Sequence, residues 1–358
     1  MSADCDVLVV GGGPVGMATA LYAVEAGMRA TVVEPRSGPV DKACGEGVMP
    51  GALRALHGLG VDPPGSDLHG ITYRAGSRRV RAAFRSASGR GIRRTELHEG
   101  LRRRAESAGV QWVSASMRAL SQDEDGVQVQ LGSGAAPLRA RYAVGADGLH
   151  SRTRRQAGLH DGRRPRRRFG YRQHFRLAPW TTDVEVHWGP DAEVYCTPVG
   201  SDTVGVAVLS NTGQSFSQHL AAFPELAERL SPASAASELR GAGPLRQRVR
   251  SRAQGRVVLV GDAGGYVDAL TGEGLAVGLA QAAVAVQALS QDRPQDYPHL
   301  ARRVSWRSTA LTSALLSASR VPPLRSALVP AAVRWPGLFQ LAVDELAATA
   351  AEPAPSEG

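Results

Sequence analysis

Lysine is almost absent: of the 42 basic residues in the 358-residue chain, only Lys42 is a lysine and the rest are arginine. Aromatic residues make up 5%, and there are three cysteines, Cys5, Cys44 and Cys196. An odd, widely spaced cysteine set excludes a disulfide framework and a zinc site, and it fits a reducing cytoplasm. No other cluster suggests a metal. No apolar run approaches the roughly 20 residues needed to span a bilayer. The apolar residues 7–10 lack the basic stretch that precedes such a run in a signal peptide. The formal net charge is +9. Nucleic-acid binding is nevertheless not expected, because the arginines are scattered and few aromatics lie among them to stack on bases. The densest basic run, residues 163–168, reads as a solvated linker.

What is present is an ordinary globular composition, 43% apolar and 21% charged. A chain of this length outgrows one simple core, so two packed domains or one domain with a large insertion are expected. Residues 7–10 form a short apolar run followed by glycines, which is how a strand buried on both faces reads. An alanine-rich helix over 17–26 and a second apolar strand over 30–33 complete a βαβ unit. A helix over 95–108 and strands over 111–113, 126–131 and 138–144 follow. From residue 169 the pattern shifts to alternating, β-branched segments at 169–177, 183–188, 193–198 and 203–210, an antiparallel sheet inserted into the α/β domain. Residues 218–230 read as a helix, 256–260 as a returning buried strand and 274–289 as a long helix of small residues. Residues 297–351 read as helical, and 352–358 as a frayed tail.

Gly11, Gly13 and Gly16 fit the spacing G-x-G-x-x-G, with Pro14 and Val15 opening the helix between them. Such a turn lets backbone N–H groups approach a pyrophosphate at the positive end of the helix dipole. Glu34 ends the second strand, where a carboxylate can accept both hydrogens of a ribose diol and repels a 2′-phosphate. Nucleotide binding is therefore expected.

Together with two later segments, these features resemble the superfamily of FAD-dependent monooxygenases and geranylgeranyl reductases. Residues 145–154, G-A-D-G-L-H-S-R-T-R, match its G-A-D-G-x-x-S-x-x-R signature. Residues 261–274, G-D-A-G-G-Y-V-D-A-L-T-G-E-G, match its second FAD fingerprint. Arg94, with Leu97 and Leu101 behind it, matches the helix start whose arginine lies by the flavin. The resemblance implies an α/β fold: a Rossmann-like FAD-binding domain of GR2 type, an inserted antiparallel β-sheet substrate domain and a helical C-terminal region. The implied division places 1–68, 94–165 and 250–296 in the FAD domain, 69–93 and 166–249 in the sheet domain, and 297–358 in the helical region. It implies FAD contacts from Gly11, Gly13, Pro14, Val15, Gly16, Glu34, Pro35, Arg36, Cys44, Gly45, Arg94, Asp147, Gly148, Gly261, Asp262, Gly272, Glu273, Gly274 and Leu275. Asp262 would hold the ribityl or pyrophosphate region. The helix opened at 272–274 would aim free N–H groups at the flavin N1–C2=O edge, where negative charge collects in the reduced form.

Within this superfamily the chain departs from the best-known hydroxylases, which carry His, Pro and Asn where it has Gly265, Ala269 and Ala276. Residues 271–274, T-G-E-G, and 44–47, C-G-E-G, look more like the geranylgeranyl reductase branch, although that branch's Y-x-W-x-F-P motif is missing. The W-x-W-x-I-P signature of flavin halogenases is missing too, and Lys42 is the only lysine, which argues against halogenation. Over its length the chain also looks like flavoprotein hydroxylases encoded beside type III polyketide synthases. The resemblance thus implies an NAD(P)H- and O2-dependent monooxygenase that hydroxylates an aromatic, phenolic or phenolic-lipid molecule through a C4a-hydroperoxyflavin. The alternative is a flavin reductase saturating isoprenoid C=C bonds, and a minor one is a non-catalytic flavin-binding module. The single glycine fingerprint leaves NADPH and NADH open as the transient reductant.

Candidate catalytic residues are Cys44 and Glu46, which the resemblance places near the flavin, and His174 and His187, either of which could deprotonate a phenol. Cys44 and Glu46 read equally well as a small buried hydrophobe and a loop cap. Tyr171, Trp188 and Tyr195 are the candidate substrate contacts on the inserted sheet. The apolar C-terminal helices with interspersed arginines suit a lipid-like substrate or transient membrane contact, or else a helical cover on the core.

Overall fold

A computed structural model describes residues 3–132, 134–163 and 167–348. The chain begins with strand β1 (Cys5–Val10), helix α1 (Pro14–Glu25) and strand β2 (Ala30–Val33). Strand β3 (Gly47–Val48), helix α2 (Pro50–Gly58), strand β4 (Ser66–Leu68), the hairpin β5 (Gly70–Ala75) and β6 (Arg78–Ala83), and strand β7 (Gly89–Gly91) follow. Next come α3 (Arg94–Ser107), β8 (Gln111–Val113), β9 (Met117–Gln122), β10 (Val127–Leu131), β11 (Leu138–Gly145) and α4 (Arg152–Gln156). The inserted segment carries β12 (Phe169–Arg176), β13 (Val184–Trp188), β14 (Ala192–Gly200), β15 (Thr203–Ser210), α5 (Phe216–Ala221), α6 (Pro224–Leu230), β16 (Ser234–Ala235) and β17 (Arg240–Ala242). Strands β18 (Ala253–Gln254) and β19 (Val257–Leu259) lead to helices α7 (Gly274–Ser290), α8 (Tyr297–Ala318), α9 (Pro322–Arg334) and α10 (Pro336–Ala348).

The first sheet runs β18-β19-β11-β1-β2-β8, and every pair from β19 to β8 is parallel. Val7, Leu8 and Val9 of the central strand are fully buried, as a wholly apolar run requires when both faces are covered. Helices α1, α3 and α7 pack on the face that carries Val7, Val9, Val32 and Val144. Leu8, Val10, Ala143 and Leu259 face the other way, into a smaller core with Met117, Val127 and Val129. The parallel strands end on the same side, so the turns after β1, β2 and β19 converge there.

The second sheet runs β16-β12-β15-β14-β13-β5-β6, with β17 beside β12. It is not wholly antiparallel as expected: β13 and β5 are parallel, with Val184 opposite Ile71. Strand β5 reaches that position from the first domain rather than through a hairpin, so hairpin geometry does not set its direction. A small sheet, β3-β7-β4, bridges the two regions. The helix expected over 218–230 is two, α5 and α6, because Pro224 has no N–H to continue the first.

The linker reading of 163–168 is also corrected. Residues 164–166 and the tail 349–358 lie outside the described residues, but Arg168 is 1% exposed and ion-paired to Glu193 at 2.8 Å and Asp268 at 3.1 Å. Arg325 of α9 joins Glu193 at 2.6 Å. Two buried carboxylates and two guanidiniums thus lock β14, the second glycine-rich turn and the C-terminal helices together. The inner face of the sheet near β13, β5 and β6 is filled by Leu316, Val329, Phe339, Val343 and Leu346 of those helices, against Tyr73, Trp188 and Tyr195.

Candidate active site

The turn after β1 leaves no room for side chains at two of its glycines. Gly11 has φ +110°, and a Cβ there would lie 2.6 Å from the Ala146 carbonyl oxygen. A Cβ on Gly16 would lie 1.9 Å from the Gly11 carbonyl oxygen. At Gly13 the same atom would meet nothing within 4 Å, so the backbone there is open. Gly13 is also the extended residue before α1, which has Pro14 in its first turn and no side-chain cap. Its first N–H groups are thus left for a ligand, at the positive end of a 12-residue helix. Arg94, at the start of α3, keeps a buried Nε without a hydrogen-bond partner among the described residues. An open backbone cradle beside an unpaired buried guanidinium nitrogen fits the pyrophosphate of a dinucleotide such as FAD.

Glu34 is 1% exposed at the end of β2, as the ribose contact requires, but its carboxylate is already fully engaged. It accepts from Gly12 N–H at 3.0 Å and from Arg36 through backbone N–H, Nε and an Nη at 3.2, 2.7 and 2.8 Å. Four donors fill the acceptor sites of a carboxylate. A ribose diol can enter only if the half-exposed Arg36 swings aside. Burial alone would raise the Glu34 carboxyl, yet Arg36 and the Gly12 N–H outweigh it and hold it below the ordinary value. Pro35, between them, is exposed.

The second glycine-rich turn follows β19. Asp262 lies on a tight turn, Gly261–Gly264, where burial raises its carboxyl, partly offset by Arg94, Lys42 and Arg154. Gly272 has φ +70°, and its Cβ position is 3.5 Å from the Met49 methyl, which sets the loop carrying Cys44 to Met49 against the start of α7. Glu273 is 3% exposed and accepts from the Ser308 hydroxyl at 2.7 Å. Leu275 is half-buried in the first turn of α7. The Lys42 ammonium lies 3.5 Å from the Cβ position of Gly148. Desolvation by the cleft walls, then the Arg36 and Arg94 charges, hold it below the ordinary lysine value.

The segment 145–154 works differently from the reading that put Asp147 on the cofactor. Asp147 accepts from Arg152 N–H at 2.7 Å, Thr153 N–H at 3.0 Å and the Ser151 and Thr153 hydroxyls, so its carboxylate closes the start of α4. Arg154 is 1% exposed and donates to the carbonyls of Leu149, Asp262 and Ala263 and to Gln247. The signature therefore clamps one cleft wall to the other.

Between the two turns lies a cluster built on Glu46. Its backbone has φ +60°, rare for a residue with a Cβ, between Gly45 and Gly47. One carboxylate oxygen accepts from the Arg94 N–H at 2.8 Å, and the other meets His174 Nε2 at 2.6 Å. An Arg172 nitrogen lies 3.1 Å from His174 Nδ1, and a guanidinium can only donate. The Ser237 hydroxyl, 2.9 Å from the same Nδ1, reaches the Glu238 carbonyl as an acceptor for its own proton. Nδ1 therefore accepts, and Nε2 carries the hydrogen donated to Glu46. Arg172 also holds Asp41 and the Lys42 carbonyl. Cys44 accepts from the Glu46 N–H at 3.4 Å. Burial raises its thiol, only partly offset by Arg94, so the group is a protonated thiol at neutral pH. Of the two readings for Glu46, the geometry includes the cap, applied to α3 rather than to its own loop.

Strand alternation sorts the remaining candidates. His174 on β12 and Thr197 on β14 point toward the cleft, and Thr197 donates to the Gly45 carbonyl at 2.8 Å. Tyr195 and Trp188 lie on the inner side but inside the packed core, with the Tyr195 hydroxyl donating to the Leu270 carbonyl. His187 is on the outer face, 2.8 Å from Glu185 and edge-on to Phe223. Tyr171 is there too, packed beside Phe175 and Phe216. The expectation that His187 and Tyr171 face the substrate is corrected by that parity. Arg172 was legible as a neighbour of His174, two residues earlier on one strand face; Asp41 and Ser237 carry no local signal.

Behind the second turn a cavity of 630 Å³ is lined by Arg246, Arg248, Arg250 and Arg252, which alternate along one segment, and by Ser305, Ser308, Thr309 and Thr312 of α8.

Residues 4–292 match the family described as FAD binding domain. Menaquinone reductase of Mycobacterium tuberculosis is 27% identical over 376 aligned residues, covering 96% of this chain and 91% of that protein. Digeranylgeranylglycerophospholipid reductase 1 of Methanothermobacter thermautotrophicus is 28% identical, covering 78% of this chain and 75% of that protein. A 3-(3-hydroxy-phenyl)propionate/3-hydroxycinnamic acid hydroxylase of Mycobacterium is 33% identical over 44% of this chain and 30% of its own length. Among solved structures, flavin-dependent brominase Bmp2 superposes with a TM-score of 0.82 at 17% identity, covering 96% of this chain and 93% of that one, which speaks for the fold alone.

Proposed function

The chain belongs to the FAD binding domain family and is a flavoprotein of oxidoreductase type, and on that premise we propose that it reduces a carbon–carbon double bond in an apolar, isoprenoid or quinone-like molecule. The Cys44 thiol carries this reading. It sits among Arg94, Glu46 and Arg172 at the seam of the two glycine-rich turns, and burial keeps its proton on. A protonated thiol beside the cofactor is a proton donor, which double-bond reduction needs. Phenol hydroxylation would instead be helped by a base, and neither candidate histidine is free: His174 is committed to Glu46 and Arg172, and His187 faces away. The relatives aligned over most of the chain are reductases by name.

Bound FAD would supply the two-electron chemistry. Gly13 and the first turn of α1 would hold its pyrophosphate, with Arg94 and Lys42 lining the cleft. Glu34 would take the ribose after Arg36 moves. Cys44 would give its proton to the substrate carbon, and the packed core of the sheet would exclude water. NADPH or NADH is the proposed reductant, with the arginine-lined cavity meeting its phosphates, in a cytoplasmic setting.

The second reading is monooxygenation of a phenolic polyketide or phenolic lipid with O2, supported by the 33% identity to an aromatic hydroxylase over part of the chain. One experiment separates the two. Photoreduced holoprotein is incubated anaerobically with a menaquinone-type polyprenyl quinone and, separately, with an alkylresorcinol in air, and products are weighed by mass spectrometry. Gain of two hydrogens without O2 that persists after any quinol is reoxidised in air supports reduction of the double bond. Gain of one oxygen atom with matching O2 consumption replaces it by hydroxylation. Cys44→Ala should keep FAD and lower reduction about 100-fold.

A further inference from the structure

Among the described residues eight large apolar side chains are exposed, and all but Leu239 lie between residues 306 and 341. Every residue from Val333 to Leu338, the corner between α9 and α10, is exposed. Trp335 is 55% exposed, Leu338 65% and Leu341 64%. Leu338, Leu341 and Glu345 fall on one face of α10 at helical spacing, and Arg307 of α8 reaches Glu345 at 3.5 Å. Its chain neighbour Trp306, 56% exposed, therefore borders the same ridge. Leu324, at the start of α9, is also exposed, at 52%.

We propose that this ridge is a monotopic docking face for an anionic lipid bilayer. Three features favour a bilayer over other occupants. First, the charge is complementary: residues 297–348 contain the arginines at 302, 303, 307, 320, 325 and 334 against only Asp344 and Glu345. Of these, Arg302, Arg303 and Arg334 are exposed, as is Arg307 beside its partner Glu345, whereas Arg325 is spent on buried Glu193. Second, a tryptophan stands at each side, each with an arginine near its ring, Arg307 over Trp306 and Arg334 over Trp335. Amphipathic rings and guanidiniums sit at the level where headgroups meet acyl chains. Third, the corner is exposed at every residue from Val333 to Leu338, and a fluid surface can receive it without a matching groove. Helices α9 and α10 have 13 residues each, too short to cross, and no described helix is long and apolar enough to do so. The opposite sides of the same helices carry Val329, Phe339, Val343 and Leu346 into the core against the inserted sheet. The docked face would thus be held rigidly to the catalytic body. The proposal does not depend on the substrate chosen above, since none of the ridge residues lines the cleft.

The test is flotation of the FAD-loaded protein with vesicles of phosphatidylcholine alone and of phosphatidylcholine with phosphatidylglycerol, at low and high salt. The protein is expected to float with the anionic vesicles, more at low salt. Replacing the surface arginines by Arg302→Gln, Arg303→Gln and Arg307→Gln should weaken binding about tenfold or more. The triple change Trp335→Ser, Leu338→Ser and Leu341→Ser should weaken it on the order of 100-fold, with an unchanged circular dichroism melt because these side chains are exposed. Leu338→Ser alone provides the same test with less change. Absence of flotation, or flotation untouched by the apolar substitutions, overturns the proposal. So does a shift from dimer to monomer on Leu338→Ser in analytical ultracentrifugation without vesicle binding, which would assign the ridge to a second copy of the chain.

Discussion

Two glutamate–histidine pairs lie on opposite faces of one sheet, and only one belongs to the cleft. Glu46 and His174 meet at 2.6 Å, and Glu185 and His187 at 2.8 Å. Both glutamates are buried. The outer pair is local: its members are two residues apart on β13 and share a face because side chains alternate. The inner pair spans 128 residues and joins a loop of the first domain to a strand of the second. Glu46 also takes the first N–H of α3, while Glu185 takes Trp180 and Arg74, both from the sheet's own surroundings. The same chemical pair is thus a coupling between domains in one place and a buried reinforcement within the inserted sheet in the other. Composition cannot distinguish them; the direction of two strands does.

The comparison is most exposed to Glu46→Ala. Removing one partner of a buried, charged hydrogen-bonded group costs about 3 kcal/mol, and here it also frees the Arg94 N–H and His174. Thermal unfolding should show that loss, and the purified protein should carry less flavin per chain by absorbance. Glu46→Gly should be milder in stability, since glycine accepts the +60° φ. Glu185→Ala should also cost about 3 kcal/mol but leave flavin content unchanged. Equal flavin loss in both would erase the distinction drawn here.

A smaller effect is expected on turnover. His174→Gln should reduce the rate about tenfold, because the loop that carries Cys44 loses its anchor, while His187→Gln should leave it near wild type. Steady-state kinetics on both variants reads the difference. A His187→Gln defect as large as that of His174→Gln would restore the outer histidine to the chemistry.

The smallest effect concerns acid. Burial would raise the Glu185 carboxyl, but His187, Trp180 and Arg74 outweigh it and lower it to about 2 from 4.5. A carboxyl depressed on folding stabilises above its unfolded value, and that stabilisation is lost as pH falls from 4.5 through about 2. Glu185→Gln should therefore flatten the dependence of unfolding midpoint on pH within that window, with its deficit against wild type largest above the window and vanishing as pH falls toward about 2. An acid limb identical to wild type would show that the outer pair contributes nothing. In the cofactor region, Arg36→Ala should strengthen FAD retention by releasing Glu34, whereas Glu34→Ala should weaken it; flavin titration of the apoprotein orders the three proteins.

Much of the first domain was legible because its signals are local. An apolar run over 7–10 bounded by glycines reads as a strand buried on both faces, and glycines at 11 and 16 are demanded because a Cβ there would lie 2.6 and 1.9 Å from a backbone carbonyl oxygen. The roles of Asp147 and Arg168 were not legible. A motif records that an aspartate is present at 147, and only the folded structure turns its oxygens to Arg152 and Thr153. Arg168 reads as solvent-exposed in an arginine run because its partners, Glu193 and Asp268, are 25 and 100 residues away. The parallel pairing of β13 with β5 was equally hidden, since strand direction leaves no trace in composition.

By itself, the sequence determined the nucleotide-binding βαβ unit, the second glycine-rich turn, the insertion of a sheet and the family these imply. Each follows from spacing within a few residues, where sterics and backbone hydrogen bonding leave few alternatives. The tertiary structure alone decided which histidine reaches the cleft, that Glu34 is already held by Arg36, that burial pushes the Cys44 thiol above its ordinary value and that an apolar, arginine-flanked ridge remains outside. Those facts arise from strand parity, burial and charge partners contributed by distant segments, and such contacts exist only once the chain has folded.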